Sequence, residues 1–236
     1  MEKFVDDTYL MVPAVNSSSC NAELTHIDRW SLANNLKLNR VKSSEIIFVS
    51  KRSRDKTTTL PAEITDVPRV KTLVILGVTI SYDLSFKNHI DQTLSSCAQS
   101  LHAIRTLRAR GLHDHIVHKV YQATVVSKLI YASPAWHGFL SASERLRLEA
   151  CIRKAIKLNF CSTNQPSFEQ LLDNADSTLF NKILTNSHHV LHRLLPPKVD
   201  HHHNLRHRAH DFKLPAKTFK LLESNFFYRM LYKGIY

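Results

Sequence analysis

The sequence predicts an α+β protein: a short strand-and-helix region over residues 1–85, a helical region over 86–197 and a basic His/Arg-rich segment over 198–236. Three observations lead there. Apolar residues fall in short strand-like blocks before residue 86, recur at helical steps of three and four after it, and the positive charge gathers in the later part. With 236 residues, 43% of them hydrophobic, the chain can bury a sizeable core in one or two domains.

The first element is an acidic hairpin. Phe4-Val5-Asp6-Asp7 runs into the apolar stretch Tyr9-Leu10-Met11-Val12. Two adjacent carboxylates repel each other, and apolar strands beside them raise that cost unless a cation sits between. Hard oxygen donors suit Mg²⁺, an octahedral ion often shared with substrate phosphates. In a two-metal site such ions stabilise the attacking and leaving oxygens of an in-line phosphoryl displacement. Asp6 and Asp7 are therefore candidate metal ligands. The plainer reading is that Asp-Asp turns the chain.

Next, Leu24, Ile27, Trp30 and Leu36 mark one face of a helix near residues 21–35. Leu36-Lys37-Leu38-Asn39-Arg40-Val41-Lys42 leads into Glu45-Ile46-Ile47-Phe48-Val49-Ser50, which reads as a strand, and Leu73–Ile80 reads as a second.

From residue 86 the pattern is helical. Phe86, Ile90, Leu94, Cys97, Leu101, Ile104 and Leu107 make one long amphipathic helix, with Gly111 as its C-terminal cap. Arg105, Arg108 and Arg110 cluster at its end, where they complement the helix dipole and are equally candidates to meet a phosphate backbone. A second helix is expected over 113–130, with Ile116, Val120 and Tyr121 on one side. A third has Leu146, Ile152 and Ile156 on one face and Arg145, Arg147, Arg153, Lys154 and Lys157 on the other. A fourth carries Phe180, Ile183, Leu184, Val190, Leu191 and Leu194, and is stopped by Pro196-Pro197. Phe226, Phe227, Met230 and Leu231 suggest a short helix that docks back on the body.

The order of acidic hairpin, helix, Asn-x-x-Lys into a strand, and Leu-Gly-Val strand resembles the second half of a reverse-transcriptase palm of the non-LTR retrotransposon, jockey-like type. Val120-Tyr121-Gln122-Ala123, the block Lys128–Trp136 and Asn204-Leu205-Arg206 extend the resemblance over the helical, thumb-like region. The resemblance implies an RNA-directed DNA polymerase, a nucleotidyltransferase using Mg²⁺ on an RNA template and DNA primer. By position Asp6 and Asp7 match its metal-binding pair. Lys42 matches the lysine near the incoming triphosphate, where a positioned proton donor serves the pyrophosphate leaving group. Leu76-Gly77-Val78 matches the element that supports the primer end. The family's earlier aspartate-bearing strand and its fingers would lie upstream of Phe4, so the chain is expected to be a fragment, inactive alone, that needs the N-terminal half as partner.

Charge and composition narrow the classes. The net charge is +12. Residues 1–86 carry 11 Lys and Arg against 10 Asp and Glu, whereas residues 87–236 carry 21 against 10. A basic region binds phosphate backbones without sequence preference and in a salt-dependent way. The same excess also serves solubility or an acidic membrane face. The longest apolar run, the eight residues Leu73–Ile80, is far short of a membrane span, and the N-terminus lacks a signal peptide's regions. Cys20, Cys97, Cys151 and Cys161 lack paired spacing, which points to thiols of a reducing, intracellular compartment, nuclear or cytoplasmic.

Of the 15 histidines, 14 follow residue 86. His188, His189 and His192 are placed on one helix, yet no zinc framework accompanies them. The segment 201–210 reads instead as a basic strap that touches phosphates through Arg206 and Arg208. The alternative to a polymerase fragment is a non-catalytic basic helical module that binds RNA or DNA. A helical interaction protein is a weaker third.

Overall fold

The computed structural model describes residues 2–4, 7–49, 60–199 and 210–233. Helices and short antiparallel strands are both present, the α+β composition expected. The chain divides into two units, Met1–Leu73 with Ser81–Asp83, and Val74–Ile80 with Leu84–Tyr236.

In the first unit β1 (Glu2–Phe4) and β2 (Asp7–Tyr9) pair antiparallel, with Glu2 opposite Tyr9 and Phe4 opposite Asp7. A 3₁₀ turn, Ala14–Ser19, leads into α1 (Cys20–Ala33). The helix closes with a Schellman motif: Asn35 adopts φ +54°, and the Leu36 N–H donates to the Ser31 carbonyl at 2.8 Å. Asn tolerates that left-handed conformation better than most side chains. Arg40 then pairs with Asp28 at 2.5 Å and ties the following turn back to the helix.

Over 45–49, the described part of the strand expected at 45–50, no strand forms. Glu45 makes one isolated parallel bridge to Arg69, and Val49 donates its N–H to the Tyr82 carbonyl at 2.9 Å. Side-chain bonds take the place of a ladder: Arg69 reaches the Glu45 carboxylate at 2.7 Å and the Pro61 and Ala62 carbonyls at 3.0 Å each.

The apolar block Leu73–Ile80 is likewise two strands, not one. β3 (Thr72–Ile75) and β4 (Val78–Ser81) flank a two-residue turn in which Leu76 has φ +47° and Gly77 φ +81°. Positive φ at both positions is the primed geometry whose twist matches the strands it joins. Glycine supplies the second position without strain.

The second unit is helical. α2 (Lys87–Ala109) ends as expected at Gly111, φ +96°, with Leu112 N–H donating to the Leu107 carbonyl at 3.1 Å. The helix expected over 113–130 is built as α3 (Asp114–Tyr121), a π turn over Gln122–Val126 and α4 (Ser127–Ile130). After the short α5 (Ser133–Trp136) come α6 (Ala142–Lys157) and α7 (Phe168–Thr185). Both long helices open with capping boxes, Ser141 with Glu144 and Ser167 with Gln170, in which each side chain satisfies the other's backbone N–H.

The fourth helix is thus shifted from its expected place: it starts at Phe168 and stops at Thr185, well before the prolines. Asn186 ends it, its side chain accepting the His188 N–H at 3.0 Å in a local turn. His188 and His189 fall in that turn and His192 in a 3₁₀ segment, so the three histidines do not share a helix. Val190 is 75% exposed and forms no part of a core face.

Periodicity places the core. Ile90, Cys97, Leu101 and Ile104 of α2 meet Val117, Tyr121, Leu129, Trp136, Leu148, Ile152, Phe168 and Leu172 in one cluster. A second cluster joins Phe180 and Ile183 of α7 to Phe226, Met230 and Leu231. These last residues belong to α9 (Phe226–Tyr232), which follows the single turn α8 (Lys220–Glu223). No helix among the described residues is long and apolar enough to cross a membrane.

Candidate functional site

The acidic hairpin places Asp7 at the loop end of the β1–β2 pair, opposite Phe4. Its side chain is exposed, and the Tyr9 hydroxyl donates to Oδ2 at 3.5 Å. Burial and then the Asp7 charge push the Tyr9 phenol above its ordinary range. Asp6 lies outside the described residues. Lys42 is exposed in a turn held by Asn39, whose carbonyl and Oδ1 both accept the Lys42 N–H at 3.2 Å. Asn-x-x-Lys is therefore a turn motif whose first residue fixes the backbone of its last. No hydrogen bond or ion pair among the described residues joins Asp7 to Lys42.

A carboxylate whose one polar partner among the described residues is a hydroxyl keeps oxygens open to a hard cation, and Mg²⁺ commonly takes one or two carboxylates with water and phosphate. The donors fit in kind. Among the described residues no group of three or more His, Cys, Asp or Glu side chains converges as a complete site.

The basic residues fare unequally. Arg147 of α6 pairs with Asp91 near the start of α2 at 2.7 Å, and Arg108 near the end of α2 donates to the Leu158 carbonyl, just past α6, at 2.8 Å. The two helices therefore run in the same sense and finish at the same end of the unit. Arg105 and Arg110 of the first and Arg153, Lys154 and Lys157 of the second are all exposed there. Arg108 does not join them as a free cation: it caps Leu158 and pairs with Asp114 at 3.3 Å. Arg145 is held between Glu169 (2.8 Å) and the His137 carbonyl (2.7 Å). Arg206 and Arg208 lie outside the described residues, as do His201, His202 and His203.

All four cysteines are free thiols. Cys97 is buried against the Val125 carbonyl at 3.9 Å. A bond to Cys151 and burial push its thiol far above the usual range.

One polar cluster went unseen in the sequence. His137 Nε2 lies 2.8 Å from Asp176 Oδ2 and 2.8 Å from Arg229 Nη2, while Arg229 also reaches Asp176 Oδ2 at 2.9 Å and the Ser224 carbonyl at 2.6 Å. His137 and Asp176 are both buried. The Arg229 guanidinium thus neutralises a buried carboxylate and pins α9 to α7. Gly138 makes room, since a Cβ there would stand 2.0 Å from the Ser224 carbonyl oxygen. Its members are 39, 53 and 92 residues apart, so no local spacing announces them; the one sequence signal is a glycine directly after His137. Chemically the cluster is a closed ion pair without a free nucleophile.

Compared with protein-family models, with curated proteins and with solved structures, the chain matches none.

Proposed function

We propose that this chain is part of an RNA-directed DNA polymerase of the non-LTR retrotransposon kind, acting in the nucleus or cytoplasm. In this reading the shared end of α2 and α6 binds the template–primer backbone. Asp6 and Asp7 contribute one strand's share of a Mg²⁺ site, and Lys42 serves as proton donor to the leaving pyrophosphate. The observation that carries it is the gathering of Arg105, Arg110, Arg153, Lys154 and Lys157, all exposed, at one end of two parallel helices. Five cations exceed what two helix dipoles call for, and a polyanion is their natural counterpart. Polymerisation would require a further carboxylate strand, so the chain is inactive alone.

A second reading is a nucleic-acid-binding module without catalysis. It is favoured by the contrast between the packed helical unit and a first unit whose described hydrophobic side chains are none of them buried.

Salt-titrated binding to an RNA–DNA template–primer tests the shared part. The apparent Kd should rise steeply with salt, and Arg105→Gln with Lys154→Gln should each lower the slope by about one. A salt-independent Kd, or slopes unmoved by both changes, would sink the proposal. Primer extension with Mg²⁺ separates the readings. Extension by the chain alone, abolished by Asp6→Asn, would remove the claim of inactivity. Extension only when an aspartate-bearing strand and fingers are supplied would favour the polymerase over the module.

A further inference from the structure

The turn between β3 and β4 meets the residue that follows α4. The Tyr131 hydroxyl donates to the Leu76 carbonyl at 3.0 Å. The edge of its ring closes on Gly77, where a Cβ would stand 3.3 Å from Tyr131 Cε1. Both sides of this contact hold left-handed backbone at residues that disfavour it, Leu76 at φ +47° and Ala132 at φ +48°. Strain of this kind persists only where the surroundings over-determine it, and it gathers at sites that do work.

The fold makes little use of the side chains so placed. Tyr131 is 53% exposed, Leu76 44% and Val74 61%. The Tyr131 backbone, by contrast, is firmly held: Trp136, fully buried, donates its indole N–H to the Tyr131 carbonyl at 2.9 Å. A half-exposed aromatic ring is therefore presented from a rigid base. One turn earlier on α4, Lys128 rests its ammonium on the Ser96 and Ser100 hydroxyls at 2.8 and 2.9 Å and forms no ion pair among the described residues.

We propose that Tyr131, with Leu76 at the turn tip, is a stacking platform for one nucleotide of a bound strand, and that Lys128 attracts that nucleotide's phosphate. The proposal rests on the reading that the chain binds template–primer. An exposed aromatic ring three residues from a cation that forms no ion pair among the described residues has the makeup of sequence-independent sites for unpaired or terminal bases. Charge selects the occupant. Residues 87–236 carry 21 Lys and Arg against 10 Asp and Glu, which favours a polyanion over an apolar peptide.

The test uses the full chain and template–primers carrying 2-aminopurine at successive positions around the primer end. Wild type and Tyr131→Phe should quench the probe at one and the same position and bind within about twofold of each other, because the ring is kept. Tyr131→Ala should lose the quench and bind about tenfold more weakly with an unchanged salt slope, as expected for a lost stacked base. Lys128→Gln should keep the quench and lower the salt slope by about one. If Tyr131 only props the turn, Tyr131→Phe and Tyr131→Ala will lose affinity together and no position will be quenched, which overturns the platform. Tyr131→Ala binding as tightly as wild type overturns it too. No binding by wild type defeats the template–primer reading and this site with it.

Discussion

The two units are held by different forces. Among the described residues of the first, only Ser31 and Ser81 are buried, and its ties are polar: Arg40 with Asp28, Arg69 with Glu45, and a Schellman closure on α1. Such partly exposed ion pairs contribute about 0–1 kcal/mol each. The second unit buries Trp136, Tyr121, Phe160, Phe168 and a dozen or so aliphatic side chains, and its ends are capped reciprocally. Apolar burial, at roughly 25 cal/mol per Å², far outweighs such pairs. The difference teaches where sequence changes will be felt: in the first unit through individual polar bonds, in the second through volume.

The chain's two tryptophans report on the two units separately, since Trp30 is 43% exposed and Trp136 fully buried. Trp136→Ala should destabilise the second unit by about 3–5 kcal/mol, and Trp30→Ala should cost less. Urea unfolding followed by helical circular dichroism checks both, and equal effects would erase the contrast.

Arg229→Ala comes next, at about 3–5 kcal/mol, because it strands the buried Asp176 carboxylate. Adding Asp176→Asn should recover a substantial part of the loss in the same melts. A double variant no better than the single would show that packing, not charge, holds α9.

Glycines give a smaller and sharper comparison. Gly77→Ala should cost about 1–2 kcal/mol, since the residue has φ +81° and the new methyl would also press on Tyr131. Gly111→Ala has φ +96° but open space around it, so it should cost less than Gly77→Ala in paired thermal melts.

The smallest effect is a pH dependence confined to the second unit. His89 is buried, its Nδ1 accepts the Thr79 N–H at 3.5 Å, and burial lowers its pKa below the ordinary 6.5. The unfolded chain therefore binds the proton more readily. His89 contributes fully above pH 6.5, and its contribution is lost as pH falls below that value. Stability measured from pH 7.5 down to 5 should decline less for His89→Gln than for the wild type. Parallel curves would refute this.

The sequence made some of this visible and hid the rest for physical reasons. α2 was legible almost to the residue, because its apolar positions repeat strictly and Gly111 is the one residue type that closes such a helix without strain. The β3–β4 turn was hidden because Leu76 stands where Asn would announce a primed turn, so eight apolar residues read as one strand. α7 was misplaced because apolar spacing continues past Asn186, and the side-chain bond that ends the helix has no periodic signature. The Arg229–Asp176–His137 cluster depends on tertiary closure across long separations, which no local pattern encodes. The hairpin that carries Asp7 and the exposure of the basic helix ends were legible; that Arg108 is spent on a carbonyl was not.

The π turn at Gln122–Val126 acts as a phase shift. Its closing bond runs from the Ser127 N–H to the Gln122 carbonyl, one residue wider than an α turn. One residue of helix corresponds to about 100° of rotation. Were the same residues wound as an uninterrupted α-helix from Asp114, Lys128, Leu129 and Tyr131 would stand rotated about its axis by that angle. Leu129 would leave the core, and Tyr131 would turn away from Gly77. The π turn thus takes up one extra residue and keeps that end of the unit in register, so deleting Ala123, which makes the Ser127–Gln122 bond an α bond, should be tolerated far better than inserting a further residue.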